Sequence, residues 1–538
     1  MKFFWRDAMA WIYPDQLDMS GEKTMSKPGF VPDVPRGGTG TLALIITDLK
    51  PGCPVTFAAD DPACRISLMR DVCVNLNTGE NGFTVSDWSP RSKSVVRIAP
   101  YRVFDALVEL KNGTFTPGTE AAALLIQLPV KRNAEPGKKT VTITFNGKHK
   151  VSFTVRVSPV RIPDAGKNSV YFTNWMNFSN VAHYAGVKKW TEKYWKCLAG
   201  HAAMMHRVRQ NTILLNLSEF IEYDKEKGTF KLHTARLERV VKIFTDAGVY
   251  WLEGGHFATR LDRKWQATEF VVSATNHLVR SVEGNRDIAA IAKLLRKVIE
   301  KNNWQHRWIQ HAADEPIECN ADSYRILVGI VRKYMPGYPI LDAMSEPEIA
   351  GAPNIWCPQV QCYQTKEKEF EATREQGDHI WAYTCCVPGG PFLNRLLDGE
   401  LTRPLLLGWG CGKFGIEGFL HWGWNYYLNM KDENGSTLWQ DPYEETAAGY
   451  SFLPNHVPAG DTHVVYPGDD GSVCSGMRLE AQRQGLEDWE LIRLLQKKDP
   501  AKCAAIIRRV FRKFDDFTPD PVAIRKARTA LLKALEAE

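Results

Sequence analysis

Arg307-Trp-Ile-Gln310-His311-Ala-Ala-Asp314-Glu315-Pro316 joins a short apolar run to two adjacent carboxylates, and a helical pattern follows. Seven further short runs share the first part of this grammar: Ser169–Phe172, Thr212–Leu215, Val249–Leu252, Pro339–Leu341, Asn354–Trp356, His379–Ala382 and Gly418–His421. Amphipathic stretches lie between them. Ile288, Ile291, Ala292, Leu295, Val298 and Ile299 recur at helical spacing, as do Tyr324, Leu327, Val328 and Val331, before Pro336-Gly337 stops the second helix. Eight strands with intervening helices over residues 165–430 predict a (β/α)8, TIM-like barrel. The connections after strands five and six are short or irregular, so those helices are its weak point.

Upstream, residues 1–160 read as a β-sandwich. Thr41–Thr47, Ser94–Ala99, Ala122–Leu128 and Val141–Phe145 are strand-like, and Asn146-Gly147 before Lys150–Val157 signals a hairpin. Pro159–Asp164 reads as a linker. Downstream, residues 431–538 begin as a polar loop. A hairpin around Gly468-Asp-Asp-Gly471 and two amphipathic helices follow, the first carried by Leu491, Leu494, Leu495, Ile506, Val510 and Phe514 with a break at Pro500. This region is expected to cap the barrel.

The chain has 538 residues, 44% hydrophobic and 24% charged. That is ordinary globular composition, and it excludes a disordered chain, a collagen and a coiled-coil rod. The formal charge is +6 with no long basic run, and the basic stretch Arg493–Lys533 interleaves with an apolar helical pattern. A solvated helix face accounts for it, and no motif supports nucleic-acid binding. No run of eighteen apolar residues predicts a membrane span. The start Met1-Lys-Phe-Phe-Trp opens like a signal peptide, but Arg6 and Asp7 interrupt it. The expectation is a cytoplasmic protein, or one whose leader preceded this numbering. Twelve scattered cysteines, without C-x-x-C or H-E-x-x-H, argue for reduced thiols and against a zinc site or disulfide framework. No cofactor or metal is called for.

A barrel carries its active site at the C-terminal ends of its strands. Those positions gather Asn174 and Trp175, His256 after Glu253-Gly-Gly, His311, Asp314 and Glu315, Tyr383, and Trp422 and Trp424. Carboxylates for chemistry, indoles for sugar faces and amides or imidazoles for hydroxyls make the composition of a glycan cleft. The seventeen tryptophans fit such a cleft as well as they fit a large core. Acetal cleavage needs a proton donor for the leaving oxygen and a stabiliser for the oxocarbenium-like centre. An ionised Asp314 would raise the pKa of Glu315 and keep it protonated, as a general acid requires. The competing reading is a helix N-terminus, which acidic residues favour. Tyr383 or Tyr363 could donate to a substrate oxygen. Trp422 and Trp424, two apart, could wall the sugar or pack barrel against helix. Asn174, Trp175 and His256 serve equally as ligand contacts or structural groups. Tyr466, Arg478 and Glu480 read as structural.

His311-Ala-Ala-Asp314-Glu315 resembles the His-x-Gly-Gly-Asp-Glu signature of family 20 β-hexosaminidases, with both glycines replaced by alanine. The wider pattern resembles glycoside hydrolase family 123, the β-N-acetylgalactosaminidases and their relatives. It is carried by Pro129–Gly137, Asn174-Trp175, Ala313–Pro316, Gly418–Trp422, Tyr466–Gly468, Arg478–Glu480 and Gly485–Trp489. The resemblance implies retaining, substrate-assisted hydrolysis of a β-linked 2-acetamido sugar on a glycan or glycoconjugate. Asp314 would orient the acetamido N–H, and Glu315 would be acid and then base. Two alternatives stay open. One is a glycosidase for sugars lacking the acetamido group, with Glu253 or Glu417 as separate nucleophile or base. The other is a non-catalytic carbohydrate-binding protein.

Overall fold

The computed structural model describes residues 1–86, 88–427, 429–431, 437–449 and 456–537. By internal contacts the chain divides into two compact units. One comprises residues 1–164, 386–414 and 425–538; the other comprises 165–385 and 415–424.

The first unit is rich in sheet. Seven strands form one sheet and five form a second, and a single apolar core lies between them. Leu42, Leu44, Leu124 and Ile126 enter that core from the first sheet; Val141, Ile143, Val151 and Phe153 enter from the second. Alternate side chains of a strand point to opposite faces, so this every-second-residue pattern places one face of each sheet inward. The expected hairpin pairs Gly137–Phe145 with His149–Arg161, and both Asn146 and Gly147 adopt the left-handed backbone that such turns require.

Ser94–Ala99 does not form the expected strand. Its Val96 and Ile98 are exposed, and Pro100 lacks a donor to continue a ladder. The strand begins at Tyr101 and runs to Glu109, buried along most of its length. The hairpin of Tyr466–Pro467 and Val473–Gly476 is not a free-standing cap, because Ser475 and Gly476 pair with Leu107 and Ala106 at the edge of the seven-stranded sheet. The helix that follows, Met477–Lys498, is broken from Pro500–Ile507 as expected, and a further helix spans Pro521–Glu536. Arg478 is fully buried and pairs with Asp105 at 2.9 Å, and Ser475 donates to Glu480. The polar loop expected after residue 430 falls partly outside the described residues.

The second unit holds eight parallel strands: Tyr171–Asn174, Thr212–Leu215, Trp251–Gly254, Trp308–Gln310, Leu341–Ala343, Ile355–Cys357, His379–Tyr383 and Gly418–His421. Strands five to eight and strand one form a curled five-stranded sheet; strands two to four form a second sheet. One parallel bridge, Gln310 to Ile340, links strands four and five.

No ladder joins strands one and two, so the expected barrel is a curled half-barrel with a three-stranded continuation. Asn211 lies at this seam, its backbone N–H 3.3 Å from the Phe172 carbonyl. Its side chain accepts the Phe172 N–H (2.9 Å) and donates to the Val170 carbonyl (3.0 Å), taking the place of a neighbouring strand. The connection after strand five is short, as expected: only the helical turn Pro347–Ile349 precedes strand six. Pro347, Gly351 and Pro353 leave no length for a helix there.

Helix starts in this unit follow the sequence closely. Asn177, Thr191 and Ser281 each accept backbone N–H groups of the turn they begin. Gly418 faces Tyr171 and Trp381 across the two adjacent ladders, and a Cβ there would lie 2.3 Å from the Trp381 ring. Gly418→Ala is therefore expected to destabilise the protein by about 1–3 kcal/mol, the cost of overpacking. An unchanged denaturation midpoint would show that the indole can move aside.

Candidate active site

Strand four ends at Gln310, and His311 follows, wholly buried. Its Nε2 faces Glu253 at 3.1 Å and its Nδ1 faces Asp342 at 3.2 Å. Burial disfavours the imidazolium, but hydrogen bonds to both carboxylates outweigh that and lift the pKa to about 9. Both carboxylates therefore favour the imidazolium form of His311.

Both carboxylates are further engaged. Glu253 accepts from Trp175 Nε1 (3.0 Å), and Asp342 accepts from the Tyr324 hydroxyl (2.7 Å). Asp342 also accepts the N–H groups of Ala312 (3.0 Å) and Ala313 (3.4 Å). The backbone leading to Asp314 is thus tied to strand five. Because the His311 pKa stands above its ordinary 6.5 in the folded state, its stabilising effect is complete below pH 6.5 and is lost as pH rises through about 9. The thermal midpoint is expected to fall across that window, and less steeply in His311→Gln. Parallel profiles for the two proteins would count against the buried cation.

Glu315 takes a left-handed backbone, φ 47°, which is rare for a side-chain-bearing residue and costs about 1–3 kcal/mol. Two contacts hold it: Arg260 donates to its carbonyl, and the Tyr383 hydroxyl donates to its carboxylate. Burial and, second, the charge of Asp314 push Glu315 up to about 7, against the opposing effects of Tyr383 and Arg260. Charge repulsion alone, the cause visible in the sequence, is the smaller part. Asp314 reaches solvent, yet protein crowds around it closely enough to raise its carboxyl. Arg260 and the His311 cation restrain that rise, while Asp342 adds to it. A cleft of about 400 Å³ opens at this rim, lined by Glu315 and Tyr383 together with Trp265, Gln266, Ser345, Glu346 and Gln359.

The remaining sequence candidates separate. Trp175 packs edge-on against His256 and His311. His256 is half-buried, its Nε2 has no hydrogen-bond partner among the described residues, and burial and the His311 charge lower its pKa to about 3. Trp422 is half-buried after strand eight. Three candidates are internal groups. Asn174 is buried and exchanges hydrogen bonds with Gln210. Tyr363 donates to Glu371 on the next helix (2.8 Å) and stacks on Phe370. Trp424 is fully buried and donates to His201 (2.9 Å).

Of the two alternative nucleophiles, Glu253 is sealed behind Trp175 and His311. Glu417 precedes strand eight, at the opposite end from the rim, and pairs with His379 at 3.0 Å. Arg260, Trp265 and Asp342 lay beyond the sequence reading. Asp342 was findable as an acid in strand five, whereas Arg260 and Trp265 sit on an excursion between strand three and its helix. His256, His311 and Asp342 bring ligand-type atoms within 4.8 Å of one another. Both nitrogens of His311 already face carboxylates. The twelve cysteines are free thiols.

The family description "Glycoside hydrolase 123, catalytic domain" matches residues 175–495, more than half of the chain and all of the strand ends described above except Asn174. The chain belongs to glycoside hydrolase family 123. It is a glycoside hydrolase, and its substrate is a glycan. A family 123 enzyme from Clostridium perfringens, solved in a study of glycolipid glycan hydrolysis, has a similar fold. The TM-score is 0.71 at 14% identity, over 99% of this chain and 97% of that one. A Bacteroides ovatus GH5 xyloglucanase in complex with a heptasaccharide reaches only 0.35 at 10% identity, over 86% of this chain and 99% of that one. No curated protein matched the sequence. Among the described residues of this family 123 chain, no helix is long and apolar enough to cross a membrane.

Proposed function

We propose that this glycoside hydrolase removes β-linked N-acetylgalactosamine, or a related 2-acetamido sugar, with retention and with the substrate's own acetamido group as nucleophile. The observation that carries the reading is the pairing of Asp314 with a Glu315 whose pKa stands at about 7. Glu315 is then available as an acid near neutrality. In the first step the acetamido oxygen attacks the anomeric carbon while the bond to the leaving oxygen breaks. Glu315 gives its proton to that oxygen. Asp314 holds the acetamido N–H and balances the positive charge that develops on the cyclising group. In the second step Glu315, now a carboxylate, takes a proton from water as the water opens the ring, and both groups return to their starting state.

Tyr383, bonded to Glu315 in the free protein, supplies the hydroxyl for the acetamido oxygen. Trp175, His256 and Trp422 contribute to the walls around the sugar. The same reading takes the two facing sheets of the first unit as a β-sandwich and the eight strands as an incomplete (β/α)8 barrel. The separate-nucleophile alternative is disfavoured by the positions of Glu253 and Glu417.

The test is a panel of aryl glycosides varied at C2 and C4. Turnover of 2-acetamido substrates and none of plain β-hexosides is the expected result. The reverse preference would overturn the assisted mechanism, and binding without turnover would favour a carbohydrate-binding role.

A further inference from the structure

Arg260 ends the first strand of the excursion that follows strand three, in which Ala258–Arg260 pairs with Phe270–Val272. This excursion is fastened to the chain on both sides of Glu315. Ahead of it, the N–H groups of Phe257 and Ala258 donate to the Ala312 carbonyl at 3.0 and 3.2 Å. Beyond it, Asn320 donates to the Ala267 carbonyl (3.1 Å), and the Phe270 N–H donates to the Ser323 hydroxyl (3.0 Å). Between these anchors Arg260 reaches Glu315 itself and donates through Nη2 to its carbonyl.

The guanidinium is held from a second side, its centre 4.2 Å from the centroid of the Trp265 ring. A planar fork stacked on a ring presents its donors in a fixed direction, which a flexible ammonium does not. The fork meets the backbone of a residue at φ 47°. Such a conformation persists only where its surroundings over-determine it. Rotation of Glu315 out of the left-handed region would turn its carbonyl away from Arg260. The same rotation would swing its carboxyl away from the Tyr383 hydroxyl that donates to it.

We infer that Arg260 is a positioning residue for the hydrolysis: it holds the Glu315 backbone left-handed and thereby aims the carboxyl at the leaving oxygen. Arg260 touches no reacting atom in this role and acts through the Glu315 carbonyl alone. The inference rests on the assignment of Glu315 as the acid.

The test uses the full-length wild type, Arg260→Met, which keeps much of the stem but neither charge nor donors, and Arg260→Lys, with Glu315→Gln alongside. Each is assayed on a methyl and a nitrophenyl glycoside of the same 2-acetamido sugar. A misaimed acid matters most where the leaving oxygen needs its proton. In Arg260→Met, kcat on the methyl glycoside is expected to fall on the order of 10²-fold, the effect of a displacement of about 1 Å. The nitrophenyl glycoside should lose less, and KM should change little for either. Arg260→Lys keeps one donor and should recover part of the methyl-to-nitrophenyl ratio. Equal losses on the two glycosides in Arg260→Met would overturn the positioning role and leave Arg260 a packing residue, whatever happens to the thermal midpoint. If Arg260→Met does not fold, Arg260→Lys decides: a ratio below that of wild type supports the role, and a wild-type ratio overturns it. A Glu315→Gln variant that fails to separate the two glycosides would instead be a failure of the acid assignment, and the role of Arg260 would fall with it.

Discussion

Glu315→Gln is expected to lower kcat by roughly 10²–10⁴ on glycosides with poor leaving groups, the range that a lost general acid produces. An activated aryl leaving group needs less protonation, so its glycosylation step should suffer less. The pH profile adds a second signature. The proposed mechanism requires the acid form of Glu315, whose pKa stands at about 7, so the wild-type rate should fall as pH rises through that value. The Gln variant cannot titrate there and should lose this basic limb. Gln also keeps an acceptor for the Tyr383 hydroxyl, so the change reads proton donation more than packing. Near-wild-type rates on both classes of leaving group would remove Glu315 from the chemistry.

Asp314→Asn should produce an effect of similar size by a different route. In the proposed mechanism the acetamido nitrogen becomes positively charged as its oxygen attacks, and a carboxylate stabilises that charge where an amide does not. The loss should therefore fall mainly on kcat, with ground-state binding less affected. A thiazoline mimic of the cyclised intermediate should inhibit the wild type and bind the variant more weakly. With the neighbouring anion gone, the pKa of Glu315 should fall. It should not return to the ordinary glutamate value of 4.5, because burial is the larger cause of its rise and remains. The basic limb should thus move part of the way to lower pH. An active wild type insensitive to the thiazoline would leave the conventional mechanism as the better account.

The eight parallel strands were legible because each is a short apolar run that ends at a cluster of polar or aromatic residues. Thr212–Leu215 and Gly418–His421 occur exactly at the positions read from sequence, and the others are displaced by two residues or fewer. Sheet closure was not legible. At the seam between strands one and two the side chain of Asn211 bonds the strand-one backbone, and no periodicity carries that information. Asp314 and Glu315 stood out because two carboxylates at a strand end are chemically conspicuous. Arg260 and Trp265 did not, since their approach to Glu315 follows from the fold of the excursion containing Ala258–Arg260 and Phe270–Val272. For Tyr363 and Trp424 the sequence left the polar partner open. Residue type suggested a ligand contact, but Glu371 and His201 already bind their polar ends.

The strand that closes the seven-stranded sheet onto Tyr101–Glu109 begins only at Val473. On the ribosome, at roughly 5–20 residues per second, that edge waits tens of seconds for its partner while the whole of the other unit is being made. Throughout that interval the edge at Ala106 and Leu107, which Ser475 and Gly476 later pair, is open to strands of other nascent chains. Yield in a foreign host should therefore respond more to chaperone supply and slower growth than to any substitution at the rim. Fragments that stop short of Gly476 should aggregate even when every residue of the half-barrel is present.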